Sequence, residues 1–199
     1  MRFNLPDIIQ RHANLDHLTD PFTHAEIDEV IKDMPSDRAP GPDGFSGAFL
    51  KACWPLIKHD FYSLCDQFHQ GSLDLTSIND GLITLIPKTN SPETVNDYRP
   101  ITLLNCCLKL ITKLLANRLQ RVILQIVHKN QYGFIKGRTI QDSLAWAFEY
   151  IHQCQASGRA CCILKLDFAK VCDTIQHEPM IEIMRHMGFD DTRLVSGPR

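Results

Sequence analysis

The run Cys161-Cys162-Ile163-Leu164-Lys165-Leu166-Asp167 limits the fold more than any other part of the chain. An aliphatic stretch of this kind, too short for a helix of ordinary length, reads as a strand that has to be covered on at least one face. Side chains alternate along a strand, so Ile163, Lys165 and Asp167 share one face while Cys162, Leu164 and Leu166 share the other. The expectation is a buried strand that carries Asp167 at its end and then turns, through Phe168, Ala169, Lys170, Val171, Cys172 and Asp173, into a loop and a helix. A carboxylate followed by the backbone N–H groups of a tight turn suits a divalent cation and the phosphates it carries. On an isolated strand the same residue more often only caps the turn, so the weight given to Asp167 depends on the rest of the chain.

Charge is the first guide. The net charge of −2 over 199 residues conceals a segregation: residues 1–80 sum to −7, residues 81–140 to +7 and residues 141–199 to −2. A basic middle third between acidic flanks is what a polyanion-binding segment would show, although a solvated basic helix face gives the same count. Nothing approaches a membrane-spanning run and the first residues lack the apolar core of a signal peptide, so an intracellular chain without membrane attachment is expected. Eight cysteines, including the adjacent pairs Cys106-Cys107 and Cys161-Cys162, sit in apolar runs without a Cys-x-x-Cys spacing and read as reduced core thiols.

Residues 1–20 form a leader with weak periodicity. Thr23-x-x-Glu26 is a capping box that opens a helix with Ile27, Val30, Ile31 and Met34 on one side and Pro35 as its stop. In Ala39-Pro40-Gly41-Pro42-Asp43-Gly44 two prolines stiffen a backbone that two glycines allow to turn, which predicts a rigid, specifically shaped loop or simple punctuation between helices. Two short helices are expected next, the second ending at Gly71. Leu82–Lys88 and Asp97–Leu103 read as extended segments, with Lys88 and Arg99 at their mouth as a cationic clamp suited to a triphosphate. A long helix from Asn105 to about Val127 buries Leu108, Ile111, Leu115, Leu119, Val122 and Ile126 and keeps Lys109, Lys113, Arg118 and Arg121 off that stripe. Gln131-Tyr132-Gly133-Phe134-Ile135-Lys136-Gly137-Arg138 interleaves aromatic, glycine and basic residues, as suits a backbone approaching phosphates or stacking on a base. Thr139-x-x-Asp142 opens the next helix, Gly158 closes it, and a last helix with Met180, Met184 and Met187 on a core face ends at Gly188.

Taken in order, Arg38-Ala39-Pro40-Gly41-Pro42-Asp43-Gly44-Phe45, Leu85-Ile86-Pro87-Lys88, Asp97-Tyr98-Arg99-Pro100-Ile101, Gln131-Tyr132-Gly133-Phe134 with Gly137-Arg138, and Leu166-Asp167-Phe168-Ala169-Lys170 resemble the reverse transcriptases of non-LTR, LINE-type retrotransposons, most of all those of plants. The resemblance spans roughly residues 21–190 and implies an α+β chain, mostly helical: an incomplete right-hand polymerase with fingers and the start of the palm. It divides the chain into the leader 1–20, a helical N-terminal extension 21–80 with the Pro-Gly-Pro-Asp-Gly loop, and a partial reverse transcriptase domain 81–199. It further implies that Asp167 is the catalytic carboxylate and, with the backbone carbonyl of Phe168, holds two Mg²⁺ ions. Lys88, Arg99 and the turn at Lys170, Val171 and Cys172 would bind the deoxynucleoside triphosphate. Lys109, Lys113, Arg118, Arg121, Lys136, Gly137 and Arg138 would lie along the RNA template and DNA primer.

Two departures qualify that picture. Val171 and Cys172 stand where the family pattern has Ala and Phe, so the steric-gate position under the sugar carries the smaller Cys172. The family's aromatic-Ala-Asp-Asp turn is absent, since Asp190-Asp191 comes at a helix exit. One carboxylate and one carbonyl offer too few oxygens for stable binding of two Mg²⁺ ions. The expectation is a truncated reverse transcriptase of retrotransposon origin without polymerase activity of its own; the alternative is a non-catalytic nucleic-acid-binding module that uses the basic segment 81–140.

Overall fold

The computed structural model describes residues 15–166 and 174–190. These form two compact units, one from Asp20 to Arg118 and one from Leu119 onward that takes in the described residues before Asp20. In the first unit lie α1 (His24–Asp33), α2 (Gly47–Gln70) and the hairpin of β1 (Gly81–Pro87) and β2 (Tyr98–Leu104). Helix α3 (Cys106–Ile126) gives its residues up to Arg118 to the first unit and the remainder to the second, which also holds α4 (Ile140–Ala156) and α5 (His177–Met187). The described chain is thus mainly helical with one small two-stranded sheet. None of its described helices is long and apolar enough to cross a membrane.

Helix α1 starts as its capping box dictates. The Thr23 hydroxyl accepts from the Glu26 amide, and the Glu26 carboxylate accepts from the Thr23 amide at 3.0 Å. Its face of Ile27, Val30 and Ile31 packs with Phe22, with Leu50, Tyr62 and Cys65 of α2, and with Cys106, Leu110 and Leu114 of α3 in one buried cluster. Two polar contacts fix the angle between α1 and α2: Asp28 Oδ1 accepts from Trp54 Nε1 at 2.8 Å and from the Tyr62 hydroxyl at 2.7 Å. The bond to Asp28, with help from burial, pushes the Tyr62 hydroxyl up to about 12, so it remains a donor at any physiological pH.

Four expectations are corrected. Residues 47–70 form one helix, capped by Ser46 and stopped by left-handed Gly71, and not two. Pro55 removes one backbone donor from its interior, but it lies on the exposed side, where water can satisfy the freed carbonyl. The expected burial of Ile111 and Val122 holds, but the buried side of α3 also runs through Cys106, Leu110, Leu114 and Arg118, so Leu115 is exposed while Arg118 is buried. Residues 161–166 are irregular and not a buried strand, with Ile163, Leu164 and Leu166 between 65% and 77% exposed and Cys161 and Cys162 also exposed. A strand exists only against a hydrogen-bonding neighbour, and among the described residues the one sheet is β1–β2. Finally, Met180 is exposed and Met184 and Met187 are half-buried, so the methionine side of α5 is not a closed core face.

The reading of the cysteines as core thiols holds for some of them in each unit. Cys65, Cys106 and Cys154 are buried free thiols, and burial pushes Cys65 up to about 12, which keeps it protonated and inert.

Candidate nucleotide and nucleic-acid site

The hairpin positions the first basic pair. Antiparallel register matches Gly81 with Leu104, Leu85 with Pro100, Ile86 with Arg99 and Pro87 with Tyr98. Pro100 has no N–H to give, so its pairing with Leu85 is of the non-hydrogen-bonded kind and the alternate pairs carry the ladder. The ladder continues one step past the strand ends, where the Lys88 amide donates to the Asp97 carbonyl at 2.7 Å. Ile86, Lys88 and Arg99 therefore share one face, with Lys88 diagonal to Arg99 at an exposed end of the hairpin.

The loop between the strands is built to hold that end open. The Asp97 carboxylate accepts from the Thr94 amide at 2.8 Å, the Glu93 amide at 3.1 Å and the Thr94 hydroxyl at 3.0 Å. The Thr94 amide, then the Glu93 amide and the Thr94 hydroxyl, hold its carboxyl below the usual range, and the Lys88 charge works in the same direction. Lys88 Nζ donates to the Asn96 carbonyl at 2.7 Å, using one of its three donors. Lys88 and Arg99 can receive an anion of several oxygens, with the Asp97 carboxylate close enough to Lys88 to offset part of its charge.

The Pro-Gly-Pro-Asp-Gly loop has a definite job inside the first unit. Asp43 Oδ2 accepts from the Cys106 amide at 2.5 Å, while the Asp43 amide donates to Asn105 Oδ1 at 3.2 Å. Asp43 thus supplies the carboxylate that the first turn of α3 needs. Asn105 Nδ2 reaches the Ile78 carbonyl at 3.2 Å and Lys109 Nζ the Ala39 carbonyl at 3.2 Å. At Gly41 a Cβ would collide with the Leu104 carbonyl, so only glycine lets the loop lie this close to β2. The loop expected to be rigid thus serves as a cap. Sequence reasoning saw the rigidity and missed the partner, because a cap from 63 residues away leaves no local signature.

The basic residues of α3 separate. Arg118, expected on the nucleic-acid side, points into the first unit: its Nη2 lies 2.8 Å from Glu26 Oε2, its Nε donates to Glu26 Oε1 at 3.0 Å, and its N–H groups also reach the carbonyls of Asp20 and Pro21. Its guanidinium carbon stands 4.3 Å from the Phe22 ring centroid. With 6% of its surface exposed, it is a structural cation and not a phosphate ligand. A buried helix side admits an arginine when a carboxylate meets it, which a hydropathy pattern cannot register. Lys113 and Arg121 lie on the exposed side of the helix.

In the second unit the loop 128–138 is tied at both ends. Arg138 Nη1 donates to the carbonyls of His128 at 2.9 Å and Gln131 at 2.7 Å, so the guanidinium staples the loop. Gln120, which sequence reasoning passed over, clamps the loop from α3: its Nε2 donates to the Phe134 carbonyl at 3.4 Å and its Oε1 accepts from the Lys136 amide at 3.3 Å. Gly137 takes the left-handed conformation at φ 86°, and Ile135 is buried while Phe134 and Lys136 are exposed.

Asp167, Phe168, Lys170, Val171 and Cys172 lie outside the described residues. Among the described residues no three His, Cys, Asp or Glu side chains come together as a metal site. The described donors therefore do not fit a dication by themselves.

Comparison with known proteins accounts for this layout. Residues 86–196 match the reverse transcriptase (RNA-dependent DNA polymerase) family, over half of the chain. The transposon TX1 uncharacterized 149 kDa protein of Xenopus laevis is 28% identical over 186 residues, covering 93% of this chain and 14% of that protein. The probable RNA-directed DNA polymerase from transposon BS of Drosophila melanogaster is 27% identical over 176 residues, 84% of this chain and 19% of that protein. The retrovirus-related Pol polyprotein from type-1 retrotransposable element R2 of Popillia japonica is 27% identical over 108 residues, 54% of this chain and 15% of that protein. The chain spans less than a fifth of the length of these curated relatives. The match over more than half of its length shows that the chain belongs to the reverse transcriptase family, in the branch carried by non-LTR retrotransposons.

Proposed function

We propose that this chain is the fingers and first palm segment of a right-hand RNA-directed DNA polymerase, preceded by a helical extension over residues 21–80. The reading rests above all on the hairpin, whose register sets Lys88 and Arg99 diagonally on one exposed face. Two cations so placed suit the phosphates of an incoming deoxynucleoside triphosphate, and the backbone N–H groups of Lys170, Val171 and Cys172 would be the complementary cradle. Arg138 and Gly137 shape the loop that follows the template, with Lys113, Arg121 and Lys136 as phosphate contacts. Lys109 has a first duty to the Ala39 carbonyl, and Arg118 is withdrawn from the set. Asp167 and the Phe168 carbonyl would be the residues to hold the family's divalent ions, Mg²⁺ by the hardness of their oxygens, and such ions would supply Lewis-acid chemistry at the primer end. Because one carboxylate is too few, template-directed synthesis needs further acids beyond Asp167.

A direct test is titration of a fluorescent deoxyadenosine triphosphate into the 199-residue chain with Mg²⁺. Lys88→Ala and Arg99→Ala should each weaken binding about 10-fold or more, the effect of losing a charge-assisted hydrogen bond. Equal affinity for wild type and both variants would remove the hairpin from the nucleotide site. Primer extension by the same chain should give no product above the enzyme-free control.

A further inference from the structure

Phe134 breaks two rules at once. Its φ is 62°, the left-handed region that a residue with a Cβ avoids, and it is alone among the described non-glycine residues in doing so. Its side chain is also fully exposed, although it follows half-buried Gly133 and precedes buried Ile135. Left-handed backbone at a bulky residue is strained and persists only where the surroundings impose it. Here they do: the Gln120 amide grips the carbonyl of Phe134 and the amide of Lys136, Ile135 anchors between them, and Arg138 staples the loop base. The chain has built a rigid support that turns an aromatic ring outward.

The surroundings state what the ring faces. From Tyr98 to Gln141 the sequence contains no acidic residue, while Lys129 and Lys136 stand exposed within five residues of Phe134. A ring offered to an apolar protein pocket has no need of an acid-free, lysine-flanked setting, whereas a base on a phosphodiester strand offers a π-face and an adjacent anion together. We infer that Phe134 is a stacking platform for one unpaired base of a single-stranded nucleic acid, with Lys136 on the neighbouring phosphate and Gln120 as the positioning residue that holds the ring out. The inference rests on the proposed template-binding role of this loop and adds the residue that reads the strand by stacking.

The test uses the whole 199-residue chain and a fluorescein-labelled uridine 12-mer RNA, with affinity measured between 50 and 200 mM salt. Phe134→Ala should weaken binding roughly 5- to 100-fold, the loss of one base–aromatic stack, and leave the salt slope unchanged. Phe134→Trp should retain affinity and Phe134→Leu should not. Lys136→Ala should lower the slope by about 0.7, the share of one single-strand phosphate contact. Thermal melting should show Phe134→Ala as stable as wild type, since the ring packs on nothing. If the wild-type chain binds the RNA with salt dependence and Phe134→Ala binds equally well, stacking is refuted while the template-binding role stands. Leucine as effective as tryptophan would mean a general apolar contact, such as one to a protein, and would also refute stacking. No salt-dependent binding by the wild-type chain would overturn both.

Discussion

The two units of this chain spend similar apolar sequence differently. From Asp20 to Arg118, three helices close on Ile27, Val30, Ile31, Leu50, Leu110 and Leu114, each at most 2% exposed. From Leu119 onward, α4 carries Leu144, Trp146, Phe148 and Tyr150 with half or more of each surface exposed, and Trp146 and Tyr150 stack on one another at 5.7 Å. Helix α4 is as well capped as α1, with its own Thr139–Asp142 box. Local signals thus make a helix in both units, but only in the first does the tertiary context bury its apolar side. Stability should therefore respond to substitutions in the closed core of the first unit and not to those on the exposed side of α4.

The sharpest way to break that contrast is at Arg118. Arg118→Ala removes the guanidinium shared by the Glu26 carboxylate and the carbonyls of Asp20 and Pro21, leaving Glu26 only its bonds from Thr23 among those described, and should cost about 3–5 kcal/mol in urea unfolding. The pair also sets an acid limit. The Arg118 bond holds the Glu26 carboxyl at about 2 instead of 4.5, against the opposing effect of burial. The folded form binds fewer protons than the unfolded one between those values, so the contribution is complete above about pH 5 and is lost as pH falls toward 2. In Arg118→Ala the acid limb of the stability profile should flatten. An unchanged limb would mean that other carboxylates govern acid unfolding.

Next in size is the core itself. Leu110→Ala should cost about 2–5 kcal/mol, because a side chain with no exposed surface leaves a cavity among Ile27, Leu50 and Cys65. Asp43→Ala removes the acceptor of the Cys106 amide and should cost about 1–2 kcal/mol, read as a lower urea midpoint with an unchanged slope.

How much of this was legible follows from where each signal resides. The capping boxes at Thr23 and Thr139 are local hydrogen-bond patterns, and both helices begin where the sequence places them. The hairpin was readable because β-branched alternation and two prolines act within a few residues. Arg118, Asp43 and Gln120 were misread or missed because each is defined by a partner: Glu26 lies 92 residues away and Asn105 62 residues from Asp43, while Gln120 meets a loop amide 16 residues on. The segment 161–166 shows the converse. Its alternation is that of a strand, yet a strand is a relation between two segments, and among the described residues no second one pairs with it. The family resemblance could be read from motif order, since motifs record chemistry and not contacts.

The smallest expected effect tests the contrast most directly. Leu144→Ala deletes the same atoms as Leu110→Ala, from a helix with an equally good start, but at a position 54% exposed. The transfer contribution scales with the area withdrawn from water and the cavity contribution vanishes where nothing packs, so the change should stay within about 0.5 kcal/mol. Phe148→Ala, 68% exposed, should behave alike despite its larger ring. A cost near that of Leu110→Ala at either position would mean that α4 is covered by a second copy of the chain in solution. In that case the loss would shrink on dilution, because stability gained by association depends on protein concentration and stability gained within one chain does not.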